Sequence, residues 1–305
     1  MICCDRKVWS VSVFPDSTAA IYKTTHMLEH ISIIIKHRSE TTRRTGRSLS
    51  TRLMAQDIKV TLGQVHPESQ AVVVLGGDGT LLHVAGKAYE LGIPLLGINL
   101  GGLGFLTEVH MDDTNQAVDL LLSGSFELDR RMMLSVTVEG QRDEKTTYFA
   151  LNEAVIAKGP LGKIISLSTW AGGSFLTNYR GDGLMVSTAT GSTAYSLSAG
   201  GPILHPSIEA LLLTPICPFA LSARPLILPP WYDVVIGIAA DSENVSLIVD
   251  GQIGHDLSNK DRIIIQKAPG CLKLVKSPFR DYFTILREKL GWTQGMTSRA
   301  LPPDI

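Results

Sequence analysis

Residues 71–82 read AVVVLGGDGTLL. Ala71 to Leu75 is a short, unbroken apolar run, the pattern of a strand buried on both faces. A tight turn through Gly76, Gly77, Asp78 and Gly79 follows, and Thr80 is predicted to cap a helix whose inner face is Leu81, Leu82, Val84, Ala85 and Ala88. Glycines let backbone N–H groups approach a phosphate closely, and a helix N-terminus adds partial positive charge. Gly76, Gly77, Gly79 and Thr80 are therefore candidates for cradling a phosphate. A carboxylate repels phosphate, so Asp78 needs its own reason. It fits either as a base for a hydroxyl that attacks the phosphate or as a ligand to a metal on it.

Working outward, the chain alternates strand and helix on both sides of this turn. Val8 to Phe14 predicts a strand. A helix capped by Asp16 or Ser17 is expected next, with Ala20, Ile21, Met27, Leu28 and Ile31 inward, and Ile33 to Lys36 offers a further strand. His37 to Arg52 is basic, with five arginines and no apolar period, and reads as a solvated loop; the alternative is a lid that meets nucleotide phosphate. Beyond the motif, Gly92 and Pro94 break the chain, Leu95 to Ile98 predicts a strand, and NLGGLGF at 99–105 is a second glycine turn at a strand's carboxyl end. Thr114 to Leu122 predicts a helix with Ala117, Val118, Leu121 and Leu122 inward. Such alternation argues a mostly parallel sheet whose ligands bind beyond the carboxyl ends of its strands.

The 305 residues suffice for two domains. Apolar content of 44% against 19% charged residues argues for a sizeable core and against extended disorder. A net charge of −1 gives no footprint for nucleic acid. Cys3, Cys4, Cys217 and Cys271 show neither metal-ligand spacing nor a disulfide framework, which suits a reducing, cytoplasmic setting. Asp5, Arg6 and Lys7 interrupt any signal-peptide core. The most apolar run, Leu211 to Trp231, contains five prolines and Arg224, so it reads as irregular buried chain and no membrane partner is expected.

From about Met132 the pattern changes to closely spaced strands: Met133–Glu139, Thr147–Ala157, Ile164–Trp170, Ser174–Asn178, Val234–Ala239, Val245–Val249, Arg262–Gln266 and Cys271–Val275. The fold class expected is thus an α/β N-terminal domain with a mostly parallel sheet, residues 1–130, and a β-rich C-terminal domain, residues 131–280. A last helix over 281–292 can pack back on the first domain. Within the β-rich part, YRGDGLMVSTATGSTAYSLSAGGP at 179–202 carries more hydroxyls than packing needs, beside a helix expected to start near Ser192 or Thr193. Asp182 can accept from an amide or a ribose, Arg180 can meet a phosphate or a surface acid, and Tyr195 can stack on a base or simply pack. Asn152 and Glu153 interrupt an apolar strand, where buried polar groups need partners. They suit a ribose diol and an adenine edge, or else mark an edge strand facing water.

The GGDG turn resembles the signature shared by NAD kinases, diacylglycerol and sphingosine kinases and 6-phosphofructokinases. NE at 152–153, GDGLMVSTATGSTAYSLSAGGPI at 181–203, LSARPL at 221–226, DGQ at 250–252 and KLGW at 289–292 narrow the resemblance to bacterial NAD kinases, from about Val72 to Trp292. GxGxxG and GxxxxGK[ST] are absent, so neither a Rossmann dehydrogenase nor a P-loop kinase is supported.

The resemblance implies transfer of the γ-phosphoryl of ATP, or of polyphosphate, to the 2′-hydroxyl of the adenosine ribose of NAD. It also implies a divalent metal, magnesium, and a homotetramer or homodimer. By the same resemblance Asp78 is the base, Gly79 lies against the ligand, and Asn152 and Glu153 contact the adenosine half. Arg180, Asp182, Thr193, Ala194, Tyr195, Ser196, Leu197, Ser198 and Gln252 fall at dinucleotide-binding positions. His83 and Lys163 fall where the family often has a basic residue, and Asn99 and Phe105 are expected to line the same crevice. The metal ligands are not assigned. One departure is Ala189, where the family usually has proline.

Overall fold

The computed structural model describes residues 9–12, 21–24, 28–35, 40–140 and 144–292. These divide into two compact units. The first takes the chain up to Leu81, with Leu95–Leu128 and the chain from Val275 onward; the second takes Leu82–Pro94 and Asp129–Leu274.

In the first unit, four strands lie parallel in the order Leu95–Asn99, Ala71–Leu75, His30–Ile35, Lys59–Leu62. All five residues of Ala71–Leu75 are buried, as its unbroken apolar pattern requires. The helix Asp78–Leu91 follows this strand directly. Thr80 is not its cap. The helix begins at Asp78, and the Thr80 amide donates to Gly77 O at 2.9 Å, so Thr80 belongs to the first turn.

The basic stretch is a second correction. Residues Glu40–Met54 form a helix rather than a solvated loop. Its buried stripe is Thr42, Gly46, Leu49, Ser50 and Leu53, spaced for one helical face but built mostly of small and polar residues. Gly46 is part of the reason: a Cβ there would lie 2.5 Å from Ile35 Cδ1, so glycine lets the helix approach the strand this closely without displacing that side chain. The helix expected after residue 16 is also overturned where it can be seen. Ile21–Thr24 is a strand, paired antiparallel with Trp9–Ser12 and with 125–127. The cap at Asp16 or Ser17, Ala20, Met27, and Cys3 and Cys4 lie outside the described residues.

The second unit holds two six-stranded antiparallel sheets. One runs Lys145–Ala150, Leu134–Glu139, Arg262–Lys267, Val234–Ile238, Ile165–Ala171, Ser174–Gly181; the other runs Leu226–Leu228, Leu211–Ile216, Gly183–Ser187, Glu153–Lys158, Val245–Val249, Ile253–Leu257. Alternate residues of both sheets, among them Val136, Ile156, Leu184, Leu213, Ile236 and Leu247, make one core. The stretch read as a single strand, 147–157, is two strands in different sheets, and the chain changes sheet at Leu151–Asn152. The helix expected near Ser192 is a 3₁₀ turn, Thr190–Thr193, followed by one helical turn, Tyr195–Ser198. Leu211–Ile216 is a fully buried strand, whereas Phe219, Leu221 and Trp231 are exposed, so the apolar run is neither irregular nor buried throughout. Cys217 and Cys271 are free thiols, and among the described residues no helix is long and apolar enough to cross a membrane.

Candidate active site

The two glycine turns of the first unit meet through Asp78. Its Oδ1 accepts from Leu106 N at 3.2 Å, Thr107 N at 3.0 Å and Thr107 Oγ1 at 2.9 Å, and its Oδ2 accepts from Phe105 N at 2.8 Å. Oδ1 is thus filled by protein donors, while Oδ2 carries one bond and keeps acceptor capacity. Asn99 extends the network: its Nδ2 donates to Thr107 Oγ1 at 2.9 Å and its Oδ1 accepts from Gly101 N at 2.8 Å. Asn99 is buried, and these bonds shape the second turn. Gly104 has no room for a side chain, because a Cβ would lie 2.7 Å from Asp78 Cγ.

A cavity of about 710 Å³ opens over these turns, lined by Gly76, Gly77, Asp78, Asn99, Gly101, Gly102 and Gly104. Thr42 and Lys289 line it as well. Lys289 supplies a cation beside the glycine backbone, the chemistry a phosphate needs. In the sequence Lys289 stands out only within KLGW, and Thr42 only as part of the stretch expected to be a solvated loop or, alternatively, a lid over nucleotide phosphate.

In the second unit the change of sheet bends the backbone so that three consecutive amides converge on one carboxylate. Asp250 accepts from Leu151 N at 2.8 Å through Oδ2, and from Asn152 N at 2.8 Å and Glu153 N at 3.0 Å through Oδ1. On the other side, Thr188 Oγ1 donates to Leu151 O at 2.6 Å and Thr188 N donates to Asn152 O at 2.9 Å. Asn152 and Glu153 are both buried, which excludes the alternative of an edge strand facing water. Glu153 Oε2 has no hydrogen-bond partner among the described residues; neither has Ser187 Oγ, whose residue pairs with Glu153 in register. Burial, and then the Asp250 charge, push the Glu153 carboxyl up to about 8. Burial raises Asp250 as well, opposed by its three backbone bonds.

This gives a direct stability prediction. Glu153 keeps its proton in the fold between an ordinary carboxyl value of 4.5 and about 8, while the unfolded chain has released it. Stability therefore falls as pH rises through that window. Glu153→Gln removes this loss, so its urea midpoint should exceed that of the parent chain by more at pH 8 than at pH 5. Each pKa unit corresponds to about 1.4 kcal/mol, which makes a few kcal/mol the ceiling.

The other candidate residues separate into groups. His83 and Gln252 line one cavity of about 350 Å³ together with Lys87, Tyr148 and Asp250. The 3₁₀ turn carrying Thr193 lies against Asn152, since a Cβ on Gly191 would sit 2.6 Å from the Asn152 carbonyl carbon. Ala194 and Leu197 are partly buried, and Tyr195 and Ser198 are exposed. Ser196 is fully buried with Oγ 2.9 Å from Thr214 Oγ1. Asp182 is paired with Lys158 at 3.0 Å. Arg180 is exposed and stacks over Phe219 at 5.3 Å. Lys163 is exposed. Ala189 has a φ of −61°, within proline's range, so the departure from proline does not require a different turn.

His30, His66 and Glu68 offer metal-ligand atoms within 4.8 Å of one another. Each is already engaged: His30 Nε2 with Thr61 Oγ1 at 2.8 Å, His66 Nδ1 with Glu68 N at 3.2 Å, and Glu68 with Lys59 at 3.6 Å. That cluster serves the sheet's end. At the glycine turns, a carboxylate beside space for substrate phosphates is oxygen chemistry that fits a hard divalent cation.

A carboxylate pinned across two glycine turns at the carboxyl ends of parallel strands, with no GxxxxGK[ST] in the sequence, is in keeping with the kinase class that the GGDG turn resembles. Residues 10–126 match the family model of the ATP-NAD kinase N-terminal domain and residues 151–277 that of the ATP-NAD kinase C-terminal domain. The chain belongs to the NAD kinase family. It is 47% identical over 227 residues to the NAD kinase of Syntrophobacter fumaroxidans, covering 74% of this chain and 80% of that one. With the NAD kinase of Geobacter sulfurreducens the identity is 46% over 220 residues, covering 72% and 78%. Among solved structures, a yeast NADH kinase complexed with NADH aligns with a TM-score of 0.85 at 27% identity, over 96% of both chains. An NAD kinase from Archaeoglobus fulgidus in complex with ATP aligns with a TM-score of 0.69 at 26% identity, over 85% of this chain and 98% of that one.

Proposed function

We propose that this NAD kinase transfers the γ-phosphoryl of ATP to the 2′-hydroxyl of the adenosine ribose of NAD, giving NADP, with Asp78 as general base. The observation that carries the reading is the Asp78 carboxylate, fixed by four donors yet open at Oδ2 in a glycine-lined cavity. Phosphoryl transfer needs positioning and charge neutralisation more than covalent chemistry from the protein. The backbone of Gly76, Gly77 and Gly79, with Thr80 and Lys289, would hold the donor phosphates. Asn152 and Glu153 would hold the acceptor's adenosine half, supported by their burial and by the unpartnered Glu153 Oε2. The Thr193–Ser198 segment, Arg180, Asp182, His83, Lys163 and Gln252 would complete the dinucleotide contacts.

Asp78 would take the 2′-hydroxyl proton on Oδ2 as the oxygen attacks the γ-phosphorus and ADP leaves. The acceptor position left on Asp78 Oδ2 takes the proton in this reading, so a divalent metal, magnesium, would be held chiefly by the donor phosphates, where when bound it neutralises charge on the transferring phosphoryl. A homotetramer or homodimer is the assembly that the family resemblance implies. A cytoplasmic setting is in keeping with the free thiols Cys217 and Cys271.

The test is an endpoint assay: the purified chain with NAD, magnesium and either ATP or polyphosphate, NADP being read by an NADP-specific dehydrogenase. NADP from ATP is expected. NADP from polyphosphate alone would overturn the assigned donor, and none from either would overturn the reading.

A further inference from the structure

We propose that Asp250 is a positioning residue for the acceptor dinucleotide: its carboxylate, by gathering the amides of Leu151, Asn152 and Glu153, fixes the direction in which the Asn152 and Glu153 side chains meet NAD. The inference rests on the reading of those two residues as NAD contacts.

Successive amides of a regular strand point to opposite sides and bond to neighbouring strands. Here three in a row turn to one side chain 97 to 99 residues away. Such a concave run of N–H groups is an anion nest, and in this protein the anion is supplied by the chain itself. The Asp250 backbone closes the same loop, its N–H donating to Glu153 O at 2.9 Å. Asp250 holds this geometry with a φ of +49°, a conformation that L residues rarely adopt, followed by Gly251 at +64°. Thr188 fixes the carbonyls of Leu151 and Asn152 from the opposite side, and Gly191 is pressed against Asn152 too closely for any side chain. The pair is therefore clamped at both its N–H and its C=O groups, while the Glu153 carboxyl keeps an unpartnered oxygen.

Asp250 is buried, and it does two things a neutral residue cannot. It accepts three hydrogen bonds at once, and it sets a like charge beside Glu153, which raises that carboxyl. Burial is the larger cause of that rise and the Asp250 charge the second.

The experiment measures dissociation constants for NAD and for ATP by calorimetry from pH 6 to 9, on the parent chain and Asp250→Asn. The amide introduced by that substitution would set an N–H₂ against one of the three backbone donors. NAD affinity should fall by about tenfold to a hundredfold, the effect of one buried unsatisfied donor. ATP affinity should stay within about twofold. The pH midpoint of the NAD constant should move down, because Glu153 ionises more readily without a neighbouring negative charge. A purely structural role would weaken both ligands and leave the midpoint in place, and that result, or an unchanged NAD constant, overturns the proposal. Amide hydrogen exchange on the unmodified chain is the second measurement, independent of whether the variant folds. The amides of 151–153 should exchange as slowly as those of 154–157; fast exchange at 151–153 overturns the clamp. Absence of NADP formation by the parent chain would count against the reading of the reaction, whereas an active parent chain with an unshifted Asp250→Asn counts against this inference only.

Discussion

Asp78→Asn is expected to lower kcat by about 10² to 10⁴-fold, the usual contribution of a positioned base. The dissociation constant for NAD should stay close to that of the parent chain, since the proposed adenosine contacts come from Asn152 and Glu153. The variant keeps an acceptor for Leu106 N, Thr107 N and Thr107 Oγ1 on one oxygen, but turns an amide N–H₂ toward Phe105 N–H. A cost in stability of about 1–3 kcal/mol should accompany the loss of turnover. Stopped-assay turnover and calorimetric NAD binding on the same preparation separate the two effects. Turnover within tenfold of the parent would show that Asp78 organises the turns and that another group takes the proton.

Gly104→Ala should produce the second large effect although the residue lies outside the proposed substrate contacts. An added methyl would lie 2.7 Å from Asp78 Cγ and closer still to its Oδ1 and to Thr107 Oγ1. These atoms are fixed by the network that includes Asn99, so the added volume must move the carboxylate or the turn. Misplacement of a catalytic group by about 1 Å can cost about 10²-fold, and overpacking costs about 1–3 kcal/mol. The expected result is a kcat about a hundredfold lower, with NAD affinity retained. Near-normal kcat in a folded Gly104→Ala chain would mean that the position of Asp78 is not set by this turn.

Much of this was legible in the sequence. Ala71–Leu75 announces itself because a strand buried on both faces must be apolar at every position. The last helix, expected over 281–292 from its spacing, runs Tyr282–Leu290; its caps, Asp281 with a side chain accepting from Thr284 N at 3.0 Å and Gly291 at a φ of +67°, are features the structure adds. The helix Glu40–Met54 was hidden because its inner face uses Thr42, Gly46 and Ser50, residues that serve close approach rather than hydrophobic burial. Asn152 and Glu153 stood out as polar residues in an apolar run. What could not be read is why they are there. The strand break, the Thr188 bonds and the Asp250 carboxylate are long-range features, and DGQ shows only that a turn is present. Lys289 and Thr42 reach the glycine cavity from helices distant in sequence from either turn, a placement no local pattern encodes.

The most direct test of the account is phosphorus NMR of the reaction mixture with NAD, ATP and magnesium. The account predicts equimolar ADP and a single new phosphomonoester, identical to authentic NADP and distinct from its 3′ isomer. A phosphate at any other hydroxyl, or ADP formed without a phosphorylated dinucleotide, would contradict it.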